Sequence, residues 1–179
     1  FVGTMWVEEI VDQLLFRGRL DMLGIRPRSI EGLSGILLAP FLHGGFGHLI
    51  ANTLPLLVLG WFVMLRRKRD FFYVTALTAS VGGLGTWLVG ASNSVHIGAS
   101  IVVFGYLGYL LFRGIFERKL GSILMSLLAF SLYGGALWGV LPQGPGISWE
   151  GHAFGLLGGV LAARVLSERG QGRSARLLR

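Results

Sequence analysis

The sequence predicts an all-α, polytopic membrane protein, and three observations lead to this fold class. First, 53% of the 179 residues are hydrophobic and only 14% are charged, whereas a soluble domain carries nearer a quarter charged residues. Second, four long stretches contain no Asp, Glu, Lys or Arg: Phe46–Leu65, Phe71–Gly90, Ala91–Phe112 and Leu120–Trp149. Third, each of these stretches supplies the roughly 20 apolar residues that one helical crossing of a bilayer requires.

The remaining elements follow from the order of apolar and polar segments. Residues 1–16 begin apolar and then carry Glu8, Glu9 and Asp12, so we interpret them as a truncated first helix, with a surface amphipathic helix as the alternative. Residues 17–42 are too polar at their start to span a bilayer and too apolar at their end to be a linker exposed to solvent. This pattern indicates a membrane-associated loop. Residues 1–168 are thus expected to form one transmembrane domain, followed by a basic cytoplasmic tail over 169–179. The further helices of the transmembrane domain are expected at 43–65, 71–90, 97–113, 120–141 and 151–167.

The basic residues predict the orientation. If the spans alternate, twelve of the sixteen Lys and Arg residues fall on one side of the membrane. Because Lys and Arg are enriched in cytoplasmic loops, we expect this side and the C-terminus to be cytoplasmic. The net charge of +7 is then explained by anionic lipid headgroups, without a nucleic-acid partner. The twelve residues are Arg66, Arg67, Lys68, Arg69, Arg113, Arg118, Lys119, Arg164, Arg169, Arg173, Arg176 and Arg179.

Polar side chains inside apolar stretches are costly in a bilayer and therefore suggest function. His48 and Asn52 are four residues apart, which places them on one face of a helix. Ser100 follows a Gly-Ala pair and is expected in the first turn of its helix, and His152 begins the last helix. With alternating spans, these helices all enter from the non-cytoplasmic side, so the polar groups lie at a similar shallow depth.

Small residues predict that the Ser100 and His152 helices pack closely. Gly155 and Gly159 lie on nearly the same face as His152, and glycines allow helix backbones to approach each other. If that face meets the Ser100 helix, an imidazole meets a hydroxyl, which is the minimum for nucleophilic acyl transfer. Phe104, one turn after Ser100, is expected to pack against the His152 ring.

Such chemistry also requires hydrogen-bond donors for the negative charge of a tetrahedral intermediate. The side chains of His48 and Asn52 and the backbone N–H of Ser100 are candidate donors. Other interpretations remain open: Ser100 as a packing residue, His48 and Asn52 as an interhelical hydrogen bond, and His152 as a partner of water or headgroups. A metal site is a further alternative, but the sequence has no HExxH motif, and we expect no metal.

Together these motifs resemble those of the rhomboid family of intramembrane serine proteases, over residues 23 to 166. The family shows two histidines and an asparagine at the spacing found in "HGGFGHLIAN", a GxSG segment followed by an aromatic residue, and a histidine followed by spaced glycines. The matching residues here are His43, His48, Asn52, Gly98, Ser100, Phe104 and His152.

The resemblance implies a fold, a site and a substrate class. The fold is a six-helix bundle in which residues 17–42 form the family's membrane-embedded first loop. The substrates are single-span transmembrane proteins cut near their outer ends, no cofactor is needed, and the expected location is a bacterial cell membrane. The implied site consists of a catalytic Ser100–His152 dyad, an oxyanion site of His48, Asn52 and the Ser100 backbone, and supporting residues His43, Phe104 and Gly98.

One residue departs from the family pattern. The glycine that usually follows the serine is Ile101 here, and a β-branched residue is bulky and stiff in a helix. Facing lipid, Ile101 would change little; facing the dyad or a neighbouring helix, it would crowd the cleft. The alternative function is therefore a catalytically inactive rhomboid-like protein that binds and escorts transmembrane clients. A channel or transporter fits less well, because only Pro55 interrupts a span and no charged residues line a path.

Overall fold

The prediction of an all-α membrane protein is confirmed by the computed structural model, which describes residues 1–142, 144 and 146–177. A π-helical turn, Asp12–Phe16, extends the first helix, and shorter 3-10 turns occupy Leu20–Leu23 and Glu31–Leu33. Residues 178 and 179 of the predicted basic tail lie outside the described residues. The α-helices are α1 Val2–Val11, α2 Gly35–Leu38, α3 Phe46–Met64, α4 Lys68–Val89, α5 Ser100–Glu117, α6 Leu120–Tyr133 and α7 Trp149–Leu177.

Four helical segments of the described chain are long and apolar enough to cross a membrane: α3, α4, α5, and α6 together with the 3-10 segment Gly134–Val140 that continues it. They differ in how much of their surface the rest of the protein covers. In α5, 61% of the most apolar 18-residue window is buried, against 6% in the α6 segment. The chain is therefore an integral membrane protein with α5 at its centre and α6 at its periphery.

Contact between α5 and α7 depends on glycines that leave no side chain between the two backbones. A methyl group on Gly155 would overlap the backbone of Ile101, and one on Gly159 would overlap the carbonyl of Gly105. Small residues at such positions are what allows transmembrane helices to pack at close range. This contact fixes the start of α7 beside the start of α5.

The first helix packs on α3 through aromatic and apolar side chains. Met5 is fully buried in the main core, and Trp6 Nε1 donates a hydrogen bond to Thr53 Oγ1 over 3.1 Å. Helix α3 begins after Gly45, whose φ of +112° favours glycine, and it contains Pro55.

The loop over residues 17–42 is joined to the segment before Ser100 by backbone hydrogen bonds. Ile25 and His96 exchange two N–H···O bonds of 2.9 Å each, and the Gly98 N–H donates to the Ala39 carbonyl over 2.8 Å. On the other side, the Arg28 N–H donates to the Trp87 carbonyl at the end of α4 over 2.9 Å. The loop therefore helps to hold the backbone from which α5 starts.

At the opposite end of the bundle, charged side chains join the turn after α3 to α4 and α5. Arg66 contacts Asp70 over 3.0 Å and Glu117 over 2.9 Å, and Arg113 contacts Glu117 over 3.0 Å. All four side chains are largely shielded from solvent, where a paired charge is far less costly than a lone one. This ionic cluster lies at the far end of α5 from Ser100, so the two ends of the bundle are held by different chemistry.

Candidate active site

A cavity of about 900 Å³ opens where α3, α5 and α7 begin, and residues from all three helices line it. The sequence predicted that these helix starts share one side of the membrane, and the structure places them around this single cavity. The predicted residues that line it are His48, Asn52, Ser100, Phe104 and His152.

Ser100 owes its position to the turn that precedes it. Gly98 has a φ of +109°, a conformation that strongly favours glycine, and the chain then enters α5 with Ser100 as its first residue. Because the first N–H groups of a helix have no partner within that helix, the Ser100 N–H is a donor at the cavity wall. Ser100 is half-buried and lines the cavity.

The His152 ring is held by two contacts. It stacks on Phe104, with 4.1 Å between ring centroids and 7° between ring planes, as the sequence predicted. Its Nδ1 lies 2.9 Å from the Gly139 carbonyl oxygen, and because a carbonyl only accepts hydrogen bonds, Nδ1 must carry the proton. In the neutral ring Nε2 is then the unprotonated nitrogen, which is the form that a general base requires.

Ser100 and His152 share the cavity, but within the described chain no hydrogen bond joins Ser100 Oγ to the His152 ring. Catalytic hydrogen bonds are often long in unliganded enzymes and shorten only when substrate is bound. The two residues thus line the same cavity without the contact that proton transfer needs.

His48 and Asn52 present donors to the same space. His48 Nδ1 accepts a bond from the Gly44 N–H over 3.4 Å, so Nε2 carries the ring proton. An ideal methyl on Gly98 would lie 2.7 Å from that Nε2, which shows how closely the ring approaches the backbone before Ser100. Asn52 Nδ2 donates one of its two N–H groups to the His48 carbonyl over 3.0 Å, and Asn52 lines the cavity.

His43, predicted as a supporting residue, contacts the backbone before the serine. Its Nδ1–H donates to the Phe41 carbonyl over 3.2 Å, and its Nε2 accepts the Ala99 N–H over 3.3 Å. The buried ring also lies edge-on to His48, with 5.1 Å between centroids. His43 therefore supports both the turn before Ser100 and the His48 ring, while lying outside the cavity lining.

Ile101 faces neighbouring helices rather than lipid, and it does not crowd the cavity. Only 4% of its surface is exposed, and it packs in a second apolar cluster with Ile25 and Ala39. Its side chain lies over Gly82 of α4 and Gly151 of α7, where any larger residue would collide with it. Glycines on two neighbouring helices thus provide the room that the isoleucine needs, on the side of α5 away from the cleft.

The predicted site does not include His96, which lies in the loop between α4 and α5. His96 is only 8% exposed, and its two ring nitrogens lie 2.7 Å from Ser94 Oγ and 2.6 Å from Ser148 Oγ. Ser148 also accepts the backbone N–H of His152 through its carbonyl, over 3.1 Å. His96 therefore links the loop before α5 to the first turn of α7. The sequence signal that could have identified His96 is a histidine in an apolar loop with a serine two residues before it.

The hydrogen bonds also assign the tautomer of His96. Ser94 has one hydroxyl proton and donates it to the Ala91 carbonyl over 2.6 Å, so His96 Nε2–H must donate to Ser94. Nδ1 then accepts the Ser148 hydroxyl, an arrangement that needs a neutral ring. Burial lowers the pKa of His96, and the nearby Glu150 carboxylate raises it in part. The net lowering keeps the ring neutral at pH 7.

Metal ligands are not grouped at the site: in the part of the chain that is described, no three His, Cys, Asp or Glu side chains are arranged to hold an ion. The chemistry available in the cavity is instead that of a hydroxyl, an imidazole with a free nitrogen, and several N–H donors.

Comparisons with known proteins point to one protein family. A family model described as the Rhomboid domain matches residues 31–169. An uncharacterised protein of Mycobacterium tuberculosis is 45% identical over 175 residues, covering 93% of this chain and 72% of that protein. Rhomboid protease GluP of Bacillus subtilis is 33% identical over 138 residues, covering 73% of this chain and 25% of that protein. RHOMBOID-like protein 5 of Arabidopsis thaliana is 32% identical over 141 residues, covering 73% and 43% respectively.

Proposed function

The chain belongs to the rhomboid family, and on that premise we propose that it is an intramembrane serine endopeptidase with a Ser100–His152 dyad. The observation that carries this proposal is the tautomer of His152. Its Nδ1–H is committed to the Gly139 carbonyl, which leaves Nε2 as a base in the cavity that Ser100 also lines. A serine is a weak nucleophile until such a base removes its proton.

The proposed reaction proceeds in two halves. In the first, His152 Nε2 accepts the Ser100 hydroxyl proton while Oγ bonds to the scissile carbonyl carbon. The resulting oxyanion is stabilised by the N–H groups of His48, Asn52 and the Ser100 backbone. When the C–N bond breaks, the proton passes from Nε2 to the leaving amine, and an acyl-enzyme remains. In the second half, water repeats the sequence, and His152 returns the proton to Ser100.

The proposed substrates are single-span transmembrane proteins within the lipid bilayer. The cavity lies at the starts of α3, α5 and α7, of which α3 and α5 are long and apolar enough to cross a membrane. It would then be at shallow depth, where water can enter and the end of a substrate helix can unwind. No cofactor takes part in the proposed reaction.

The proposed location is a bacterial cell membrane with a cytoplasmic C-terminus. The ionic cluster around Arg66 and Arg113 lies at the end of the bundle opposite the cavity, and Lys and Arg favour the cytoplasmic side. The cavity would then open toward the outside of the cell.

A second candidate is a catalytically inactive member of the family that binds and escorts transmembrane clients. The missing hydrogen bond between Ser100 Oγ and His152 within the described chain favours it, because proton transfer requires that contact. The packing of Ile101 away from the cleft removes the other argument for it.

Turnover in liposomes separates the two candidates. A labelled single-span protein with small, helix-breaking residues near its outer end would be reconstituted with the wild type, Ser100→Ala and His152→Ala. A protease cleaves the substrate as wild type and loses cleavage by at least about 10³-fold in both variants, while the variants still co-purify with the substrate. Substrate that binds to the wild type but is never cut would establish the escort function instead.

A further inference from the structure

The acceptor that orients His152 comes from a different part of the chain than the other site residues. Gly139 lies in the 3-10 segment Gly134–Val140, between α6 and α7. Its carbonyl oxygen is 2.9 Å from His152 Nδ1, on the side of the ring that faces away from the nitrogen proposed as the base. In serine hydrolases an acidic side chain usually takes this position and selects the correct tautomer.

The approach of this segment to the histidine requires a glycine. An ideal methyl on Gly139 would lie 2.9 Å from Phe104 Cζ and 3.2 Å from His152 Nδ1, closer than ordinary van der Waals contact. By contrast, a methyl on Gly135 in the same segment would meet nothing within 4 Å. The fit at Gly139 is therefore specific to the contact with the histidine and the aromatic ring beneath it.

The segment that carries this acceptor lies at the edge of the protein, with Leu137 packed against the main core. None of its seven residues is buried, and it continues α6, the least buried of the four candidate spans. Elements with few buried contacts are those that open at low free-energy cost. By contrast, Phe104, which the segment contacts from the other side, is buried in the centre of the bundle.

We propose that the Gly139 carbonyl is the third member of the catalytic arrangement, and that His152 is a competent base only while the segment Gly134–Val140 is docked against it. When the segment moves away, the Nδ1–H loses its acceptor, and the ring is free to rotate or to change tautomer. The segment thereby couples the opening of the cavity wall to the loss of the base. Gly139 is a positioning residue, because it acts through His152, and this inference rests on the proposed function.

A pair of glycine variants tests the coupling. Gly139→Ala forces the segment off Phe104 and His152, whereas Gly135→Ala adds the same methyl in open space. In the liposome assay, Gly139→Ala is expected to lower kcat roughly tenfold or more with little change in KM, as for a lost hydrogen bond that orients the base. Gly135→Ala is expected to stay within about twofold of the wild type.

Nitrogen-15 NMR of histidine-labelled protein gives a readout that does not depend on activity. With the four histidines assigned through His→Gln variants, including His152→Gln, the wild type is expected to show His152 protonated on Nδ1. Gly139→Ala is expected to shift His152 toward a mixture of tautomers. If the wild type never cleaves a substrate, the proposed function fails, but the tautomer measurement still decides whether Gly139 holds the ring.

A second variant covers the case in which Gly139→Ala fails to fold. Incorporating α-hydroxyvaline in place of Val140 converts the 139–140 amide into an ester, which weakens the Gly139 carbonyl as an acceptor without adding a side chain. It should shift the His152 tautomer in the same direction. A wild-type His152 protonated on Nε2, or a folded Gly139→Ala protein that matches Gly135→Ala in both readouts, would overturn the proposal.

Discussion

Replacing Ile101 by alanine is expected to destabilise the protein without opening the catalytic cleft. The side chain is 4% exposed and packs with Ile25 and Ala39, against Gly82 of α4 and Gly151 of α7. The substitution therefore leaves a void between three helices and the loop over residues 17–42. Both neighbouring glycines lack side chains that might fill it.

The magnitude follows from the size of the deleted group and from its surroundings. Truncating a buried isoleucine to alanine costs about 2–5 kcal/mol. Between membrane helices the lost contribution is mainly van der Waals packing, because lipid is as apolar as the protein interior. We therefore expect the lower end, about 2 kcal/mol, which is roughly a 30-fold change in the folding equilibrium.

Thermal unfolding in mild detergent measures the loss, and Ile115→Ala is the matched control. Ile115 lies on the same helix but is 60% exposed, so its truncation should change the unfolding temperature little. The labelling rate of Ser100 by a fluorophosphonate should be unchanged in folded Ile101→Ala protein. An unaltered unfolding temperature together with faster labelling would mean that Ile101 obstructs the cleft, and our account of its packing would be wrong.

Three further predictions concern His96, Asp21 and Gly98. His96→Ala leaves the Ser148 hydroxyl without its acceptor, so the free energy of unfolding should fall by about 1–3 kcal/mol, and His96→Gln should restore part of it. Equal stability of the wild type and both variants in thermal unfolding would contradict the link that His96 makes between Ser94 and Ser148. Burial, and then neighbouring carboxylates, raises the pKa of Asp21 from 3.8 to about 6, so ionisation in this window destabilises the fold as pH rises. Asp21→Asn should therefore be more stable than the wild type above pH 6 and lose that advantage near pH 4, and a pH-independent difference in unfolding temperature would refute this. Gly98→Ala places a methyl 2.7 Å from the His48 ring at a positive φ, so fluorophosphonate labelling should slow at least about tenfold, and wild-type labelling would contradict the assigned turn.

Much of the fold was predictable because membrane helices have a simple chemical signature. The charge-free stretch Phe46–Leu65 and the observed α3, Phe46–Met64, nearly coincide, since loss of charge and entry into the bilayer occur together. The break within the stretch 120–141 was not predictable: the chain changes from α6 to a 3-10 segment at Gly134 inside an unbroken apolar run.

The site was predictable where side chains carry the chemistry and not where the backbone does. Phe104 and His152 were placed together from helix periodicity, and they stack. The Gly139 carbonyl left no trace in the sequence, because every residue has a carbonyl and only the tertiary fold selects one. The direction of Ile101 was equally open, since it depends on which face of α5 meets α4 and α7.

Labelling of the wild-type protein by a fluorophosphonate in mild detergent, with the modified residue mapped by mass spectrometry, tests the central claim most directly. The cavity is lined by three serines, Ser94, Ser100 and Ser148. Among the described residues, Ser94 and Ser148 each have a hydrogen bond to a ring nitrogen of His96, so an unselective reagent could reach either of them. The proposed dyad predicts an adduct on Ser100 that is absent from Ser100→Ala and His152→Ala and persists in Ser148→Ala. An adduct on Ser148, or no adduct on Ser100 in a folded wild-type protein, would contradict it.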